Sequence, residues 1–189
     1  LLCNELKIPH VVVNRAFSRF DAEFKKNVRT DLSVYEHGWF MPMAELVEQK
    51  WPVVYDGIAG DVLSAGLFLN SHRAKLLKEE NYDALADDIL EPEGFLPDLL
   101  RSKFYKLFDR GKARQRVVRE LVRHKDAANP IGSFAFWNRT RRAVALSPFK
   151  LFDPSVDVIV PYLDPSVVDF LSSLPAEMFL DHEFHTRTI

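Results

Sequence analysis

The residues best suited to chemistry lie in WPVVYDGIAGDVLSAG, positions 51–66. Pro52 to Tyr55 is a short apolar, β-branched run that predicts a buried strand, and Asp56 and Gly57 end it. Gly60 and Asp61 follow, and from Val62 the apolar spacing turns helical. A strand, a glycine turn and a helix start can hold a phosphate or its metal. Backbone N–H groups at the helix start point at an anion, and glycine lets the backbone approach closely. Asp61 would stand at that start, where a carboxylate caps the helix, binds Mg²⁺, or does both. Many α/β proteins use the same pattern as a plain turn with a capping Asp. The spacing matches neither the Gly-x-x-x-x-Gly-Lys-Ser/Thr phosphate loop nor the Gly-x-Gly-x-x-Gly fingerprint.

Three other groups invite a functional reading. His182 and His185 stand among Asp181 and Glu183 at a spacing that would let both face one metal on a helix, but no third ligand pairs with them, which favours surface histidines. Arg141 and Arg142 adjoin aromatics; they could clamp a phosphate or carboxylate, or make structural salt bridges. After Gly111 comes a basic helix with Lys112, Arg114, Arg116, Arg119, Arg123 and Lys125 outside and Val117, Val118, Leu121 and Val122 inside. It reads as a solvated face balancing the acidic stretch Glu79 to Asp98, or as a dock for an acidic partner.

The elements that must position these groups follow from periodicity and turn chemistry. Leu1, Leu2, Cys3 and Leu6 read as helix turns closed by Lys7 and Pro9, and His10 to Val13 as a strand. Ser18 caps a helix whose stripe Phe17, Phe20, Phe24 and Val28 is expected in the core. Tyr35 to Met41 reads as an aromatic-rich loop, and Pro42 starts a helix through Val47. The helix at Asp61 is expected to run on through Leu63, Leu67, Phe68 and Leu69. Helices follow over Ser71 to Leu77 and after the cap Asn81. Another begins near Asp98 and would bury Leu99, Leu100, Phe104, Leu107 and Phe108. Residues 129–146 read as one helix, and Val156 to Leu163 as a second strand. Asp164 and Pro165 then start a helix as cap and first residue.

Composition bounds the class. At 189 residues the chain holds one domain or two lobes, and 47% hydrophobic residues suffice for a core. A net charge of −2 gives no general pull toward nucleic acid or an anionic membrane. A single cysteine, Cys3, excludes an internal disulfide and fits a reducing, cytoplasmic setting. No apolar run nears the roughly 20 residues that span a bilayer. The chain opens inside a helix and without Met, which reads as a piece cut from something longer.

Two stretches carry a family resemblance. VVYDGIAGDVLSAG, positions 53–66, is similar to a strand followed by Ser-Gly-Glu/Asp-Gly-x-Asp-Glu and a later glycine pair. VIVPYLDPSVVDFLSSLPAEM, positions 158–178, is similar to Val-Arg-x-Pro-Phe-Leu-Asp, an apolar helix and Ser-Leu-Pro. In their order and separation they resemble the synthetase domain of the asparagine synthetase family, the β-lactam synthetase type included. CNELKIPHVVV is similar to that family's helix end and strand, so the resemblance covers nearly all of residues 1–189.

The resemblance implies an α/β fold: an adenine-nucleotide α-hydrolase-like, PP-loop ATP pyrophosphatase domain, predominantly helical with a small parallel sheet. It implies an amide-forming ligase using ATP and Mg²⁺, a small-molecule carboxylate and an amine donor. The carboxylate is activated as an acyl-adenylate, Mg²⁺ neutralises the leaving pyrophosphate, and the amine displaces AMP. Asp61 falls on the metal and pyrophosphate Asp, with Asp56, Gly57 and Gly60 around it as nucleotide-binding positions. Asp164 falls on a helix-capping Asp, and Arg187 on a catalytic Lys that stabilises charge in the adenylate and pyrophosphate. The chain also departs from the family. Its Ser-Gly-Gly-x-Asp-Ser loop, which should precede Leu1, and its glutaminase domain are absent, so the domain reads as truncated. Ile58 stands in place of a catalytic Glu or Tyr, Val62 in place of the following Glu, and Arg187 in place of Lys. These substitutions fit a second reading, a non-catalytic relative that binds nucleotide or a protein partner. An apolar sheet edge exposed by the absent strands would favour a homodimer.

Overall fold

The computed structural model describes residues 2–14, 18–34, 37–92, 94, 96–107 and 109–188. Leu1, Phe17, Tyr35, Glu93 and Phe108, which figure in the sequence expectations, lie outside them. The chain divides into two compact units, residues 1–56 with 143–161, and residues 57–142 with 162–189.

The first unit begins with α1 (Leu2–Glu5), which ends where Lys7 turns left-handed (φ 53°) and Ile8 N–H reaches back to the Cys3 carbonyl. The expected strand His10 to Val13 is not formed. Val11 and Val12 lie exposed without strand geometry, because β-branched propensity makes a strand only where a partner supplies the ladder.

Helix α2 (Arg19–Arg29) starts as expected, with Ser18 Oγ accepting from Asp21 N–H at 3.2 Å. Its buried side is the opposite of the one expected. Phe20, Phe24 and Val28 are 79%, 62% and 64% exposed, while Ala22 and Lys26 are buried. The inward face is polar in its heads and apolar in its stems. Lys26 Nζ donates to the Val34 carbonyl at 2.5 Å and pairs with Glu23 at 2.9 Å. Arg29 pairs with Glu48 and donates to the Leu151 carbonyl at 2.7 Å. With such partners on that side, the rings are left to solvent.

Helix α3 (Met41–Lys50), with Pro42 in its first turn, buries Met41, Ala44 and Val47 at threefold spacing. They pack with Ala22, Phe40, Leu151, Phe152 and Val156, and the Phe40 and Phe152 rings meet edge to face at 5.3 Å. Strands β1 (Val53–Tyr55) and β2 (Asp157–Ile159) pair in parallel, Val54 opposite Val158. Val54 and Val158 face the core while Val53 and Tyr55 are exposed, so β1 is half-buried rather than buried.

The second unit is helical. Helix α4 (Gly60–Ser64) stops after five residues, short of the expected run to Leu69, because the chain turns left-handed at Gly66 (φ +64°). Then come α5 (Ser71–Lys78) and α6 (Tyr82–Leu90), capped by Asn70 and Asn81. Where one helix was expected from Asp98, two short ones form, α7 (Leu96–Leu99) and α8 (Ser102–Tyr105). Leu99, Phe104 and Leu107 stay exposed there. Helix α9 (Arg110–Arg123), capped by Asp109, packs against α6 through Leu121 and Leu85, with Leu76, Ala86 and Ile131 completing the core.

Residues 129–146 are helical with an interruption. Helix α10 (Pro130–Ala135), capped by Asn129, passes into a π-helical turn over Phe136–Thr140 and then α11 (Arg141–Val144), across which the chain leaves the unit. Helix α12 (Pro165–Ser173) begins as expected, with Asp164 accepting from Ser166 N–H at 2.9 Å. A 3₁₀ stretch, Ala176–His182, leads to α13 (Glu183–Thr188). The fold is thus a predominantly helical α/β arrangement with a two-stranded parallel sheet. Among the described residues no helix is long and apolar enough to cross a membrane.

Candidate functional site

Asp56 closes the first unit, its N–H donating to the Ile159 carbonyl at 2.9 Å. The glycine turn and α4 belong to the second. Gly57 is exposed and a Cβ there would meet nothing within 4 Å, so it leaves an open approach to the backbone. Gly60 is closely approached: a Cβ would stand 2.8 Å from the Tyr162 ring, which would have to shift. The left-handed residue of the turn is neither glycine but Ala59, buried at φ 69°. An alanine in that region costs roughly 1–2 kcal/mol, so the surrounding packing must hold the turn in shape.

Asp61 sits in the first turn of α4 and is exposed. Its Oδ1 accepts from Val62 N–H at 2.9 Å, which leaves the other carboxylate oxygen toward solvent. The cap position is Ala59, which has no side-chain acceptor, so the expected capping role of Asp61 is not realised; its exposed carboxylate remains open to a cation. Among the described residues no three His, Cys, Asp or Glu side chains converge. A Mg²⁺ at Asp61 would therefore be shared with phosphate oxygens and water, the usual manner of binding this ion.

Arg187 lies on α13 and pairs with Glu183 one turn earlier at 3.1 Å. The contact between α13 and α4 is made by His185, whose Nδ1 lies 3.4 Å from Ser64 Oγ. Ser64 Oγ also donates to the Gly60 carbonyl at 2.7 Å. Among the described residues no ion pair joins Arg187 to Asp61. The sequence favours surface histidines at 182 and 185 over a metal pair, and nothing in it signals the contact of His185 with Ser64.

Behind α4 lies a cavity of about 60 Å³ lined by residues that include Val62, Ser133, Trp137, Leu171 and Phe179. It is far smaller than the ~300–1,000 Å³ of a small-molecule pocket, so it does not house a nucleotide. The π-helical turn borders it through Phe136 and Trp137. Such turns are frequent at functional sites, and here Thr140 Oγ1 is buried without a partner among the described residues.

The chain shows no match to any family model, curated protein or solved structure.

One titratable group stands out in the second unit, and periodicity gives no hint of it. His124 Nδ1 lies 2.9 Å from Ser133 Oγ, and its Nε2 lies 3.3 Å from Asn138 Nδ2. Asn138 Nδ2 also donates to the Phe134 carbonyl at 3.1 Å, which fixes the amide so that an N–H faces His124. Nε2 must then accept, and the proton sits on Nδ1. A second proton on the ring would face a donor. Burial also pushes the His124 pKa down, Glu120 opposes this and Arg123 adds to it. A depressed histidine pKa contributes stability that is present above the unfolded value of about 6.5 and is lost as pH falls through it. Urea midpoints should therefore drop between neutral pH and pH ~5.5, and His124→Gln should flatten that drop. An unchanged slope in the variant would remove His124 from the account.

Proposed function

We propose that the chain is the carboxyl-terminal part of an asparagine-synthetase-like, ATP-dependent amide-forming ligase built on a PP-loop ATP pyrophosphatase-type domain. One observation carries this reading. The two stretches that resemble the family supply the two strands of one parallel sheet, Val53–Tyr55 beside Asp157–Ile159. In sequence each strand leads into a helix with an aspartate at its start, Asp61 or Asp164. In chain order the Asp56–Asp61 turn follows directly on β1.

In the whole protein ATP would be cleaved between its α and β phosphates, the substrate carboxylate taking AMP and an amine then displacing it. Asp61 would hold Mg²⁺ on the leaving pyrophosphate. The open backbone at Gly57 admits the phosphates, and Arg187 offers a fixed positive charge. Isoleucine at 58 cannot move a proton, so any base comes from the substrates or from another part of the protein.

Calorimetric titration with Mg·ATP and Mg·pyrophosphate tests the site. Binding by the natural chain and a loss of about tenfold or more in Asp61→Asn, with an unchanged circular dichroism spectrum, is the expected result. Equal binding by both proteins overturns the role of Asp61. The second reading, a relative that binds nucleotide without turnover, is favoured by Ile58 and by the engagement of Arg187 with Glu183. It predicts nucleotide binding with no AMP release from any carboxylic acid. AMP release that depends on Asp61 would exclude it.

A further inference from the structure

The outward face of α9 holds a feature the ligase reading does not use. Arg116, Arg119, Glu120 and Arg123 line an open groove of about 360 Å³ together with Asn138 of the π-helical turn. The other basic residues of α9 that carry ion pairs are engaged elsewhere: Arg114 with Asp83 and Asp87 of α6, and Lys112 with Asp109. Arg123 pairs with Glu120 at 2.7 Å. Arg116 and Arg119 are exposed and have no carboxylate partner among the described residues.

The groove is therefore electropositive, with three guanidinium groups against one carboxylate, but its wall is not purely cationic. Asn138 gives its N–H groups to the Phe134 carbonyl and to His124, so its Oδ1 is the atom left to accept. Glu120 adds a second acceptor. A partner must offer anions spaced about one helical turn apart, ~5–6 Å, and also hydrogen-bond donors. A DNA backbone has the anions but no donors, and Glu120 would repel any phosphodiester chain. Among the described residues no aromatic ring lines the groove to stack a base. A polypeptide rich in Asp and Glu meets both demands, since carboxylates pair with guanidinium forks and each residue carries a backbone N–H.

We propose that this groove docks an acidic segment of a partner protein, with its carboxylates on Arg116 and Arg119 and a backbone N–H on Asn138 Oδ1. The site is independent of the nucleotide reading and involves no residue placed in it.

Fluorescence anisotropy on the whole chain tests this. The probes are a labelled peptide with Glu at every third or fourth position, the same peptide with Gln throughout, and a labelled oligothymidylate of similar length. The Glu peptide should bind at about 50 mM salt and weaken several-fold at about 300 mM, where the screening length is shorter. The R116E/R119E variant should lose about tenfold or more, and R116Q/R119Q should lose affinity without creating repulsion. The K125E variant changes a charge outside the groove and should shift binding less than about twofold. Equal binding of the Gln peptide, tighter binding of the oligonucleotide, retention by R116E/R119E, or an equal loss in K125E would each overturn the assignment. Since Arg116 and Arg119 are exposed, melting curves of the variants should overlay that of the natural chain.

Discussion

Gly66→Ala is expected to destabilise the second unit by about 2–5 kcal/mol, the sum of two separable effects. The first is conformational. Gly66 has φ +64°, a region that costs an alanine roughly 1–2 kcal/mol. The second is steric. A Cβ would stand 2.8 Å from Phe179 Cβ and 2.9 Å from the Phe179 carbonyl oxygen, which belongs to the backbone and cannot step aside like a side-chain tip. Overpacking of this kind costs typically ~1–3 kcal/mol. Gly94 is the internal control. It too is left-handed, at φ +57°, but a Cβ there would meet nothing within 4 Å. Gly94→Ala should show the conformational part alone, about 1–2 kcal/mol. Chemical denaturation of both variants separates the effects, and equal losses would mean that the approach of Phe179 to the turn carries no weight.

The second large effect is expected at Lys26. Its side chain is 2% exposed, a rare state for lysine, and its ammonium bridges Glu23 and the Val34 carbonyl. Lys26→Met keeps most of the apolar stem and removes the charge. Val34 is itself buried, so its carbonyl loses a partner that water cannot easily replace, at about 1–3 kcal/mol. Glu23 is partly exposed and regains water, which keeps the cost below that of stranding a fully buried ion. Lys26→Ala also empties the volume of the stem and should cost more than Lys26→Met. A Met variant as stable as the natural chain would show that the ammonium contributes nothing net.

The helix starts were legible because capping is local chemistry. Ser18, Asn81 and Asp164 each accept a backbone N–H two or three residues on, as their types and positions suggested. The two strands were legible for a related reason, as short β-branched runs bounded by prolines and aspartates, although each is shorter than its run. Which face of α2 turns inward was not legible. Periodicity marks an apolar stripe but cannot see that Lys26 and Arg29 find fixed acceptors on the other side. The run at His10 to Val13 and the stretch from Leu99 to Leu107 failed similarly, since propensity and apolar content name no partner. At the candidate site, the turn and Asp61 could be read from spacing. The tight space at Gly60 could not, because it arises from Tyr162, distant in sequence. The π-helical turn at Phe136–Thr140 is a change of hydrogen-bond register with no signature in residue type.

The outward aromatic stripe of α2 has a calorimetric consequence. Unfolding changes heat capacity because apolar surface enters water. The rings of Phe20 and Phe24, and those of Trp39 and Trp51 nearby in sequence, are already largely or partly hydrated in the folded chain. They add little to that change. The first unit should thus have a smaller heat-capacity increment than its aromatic content suggests, and a stability that varies more gently with temperature.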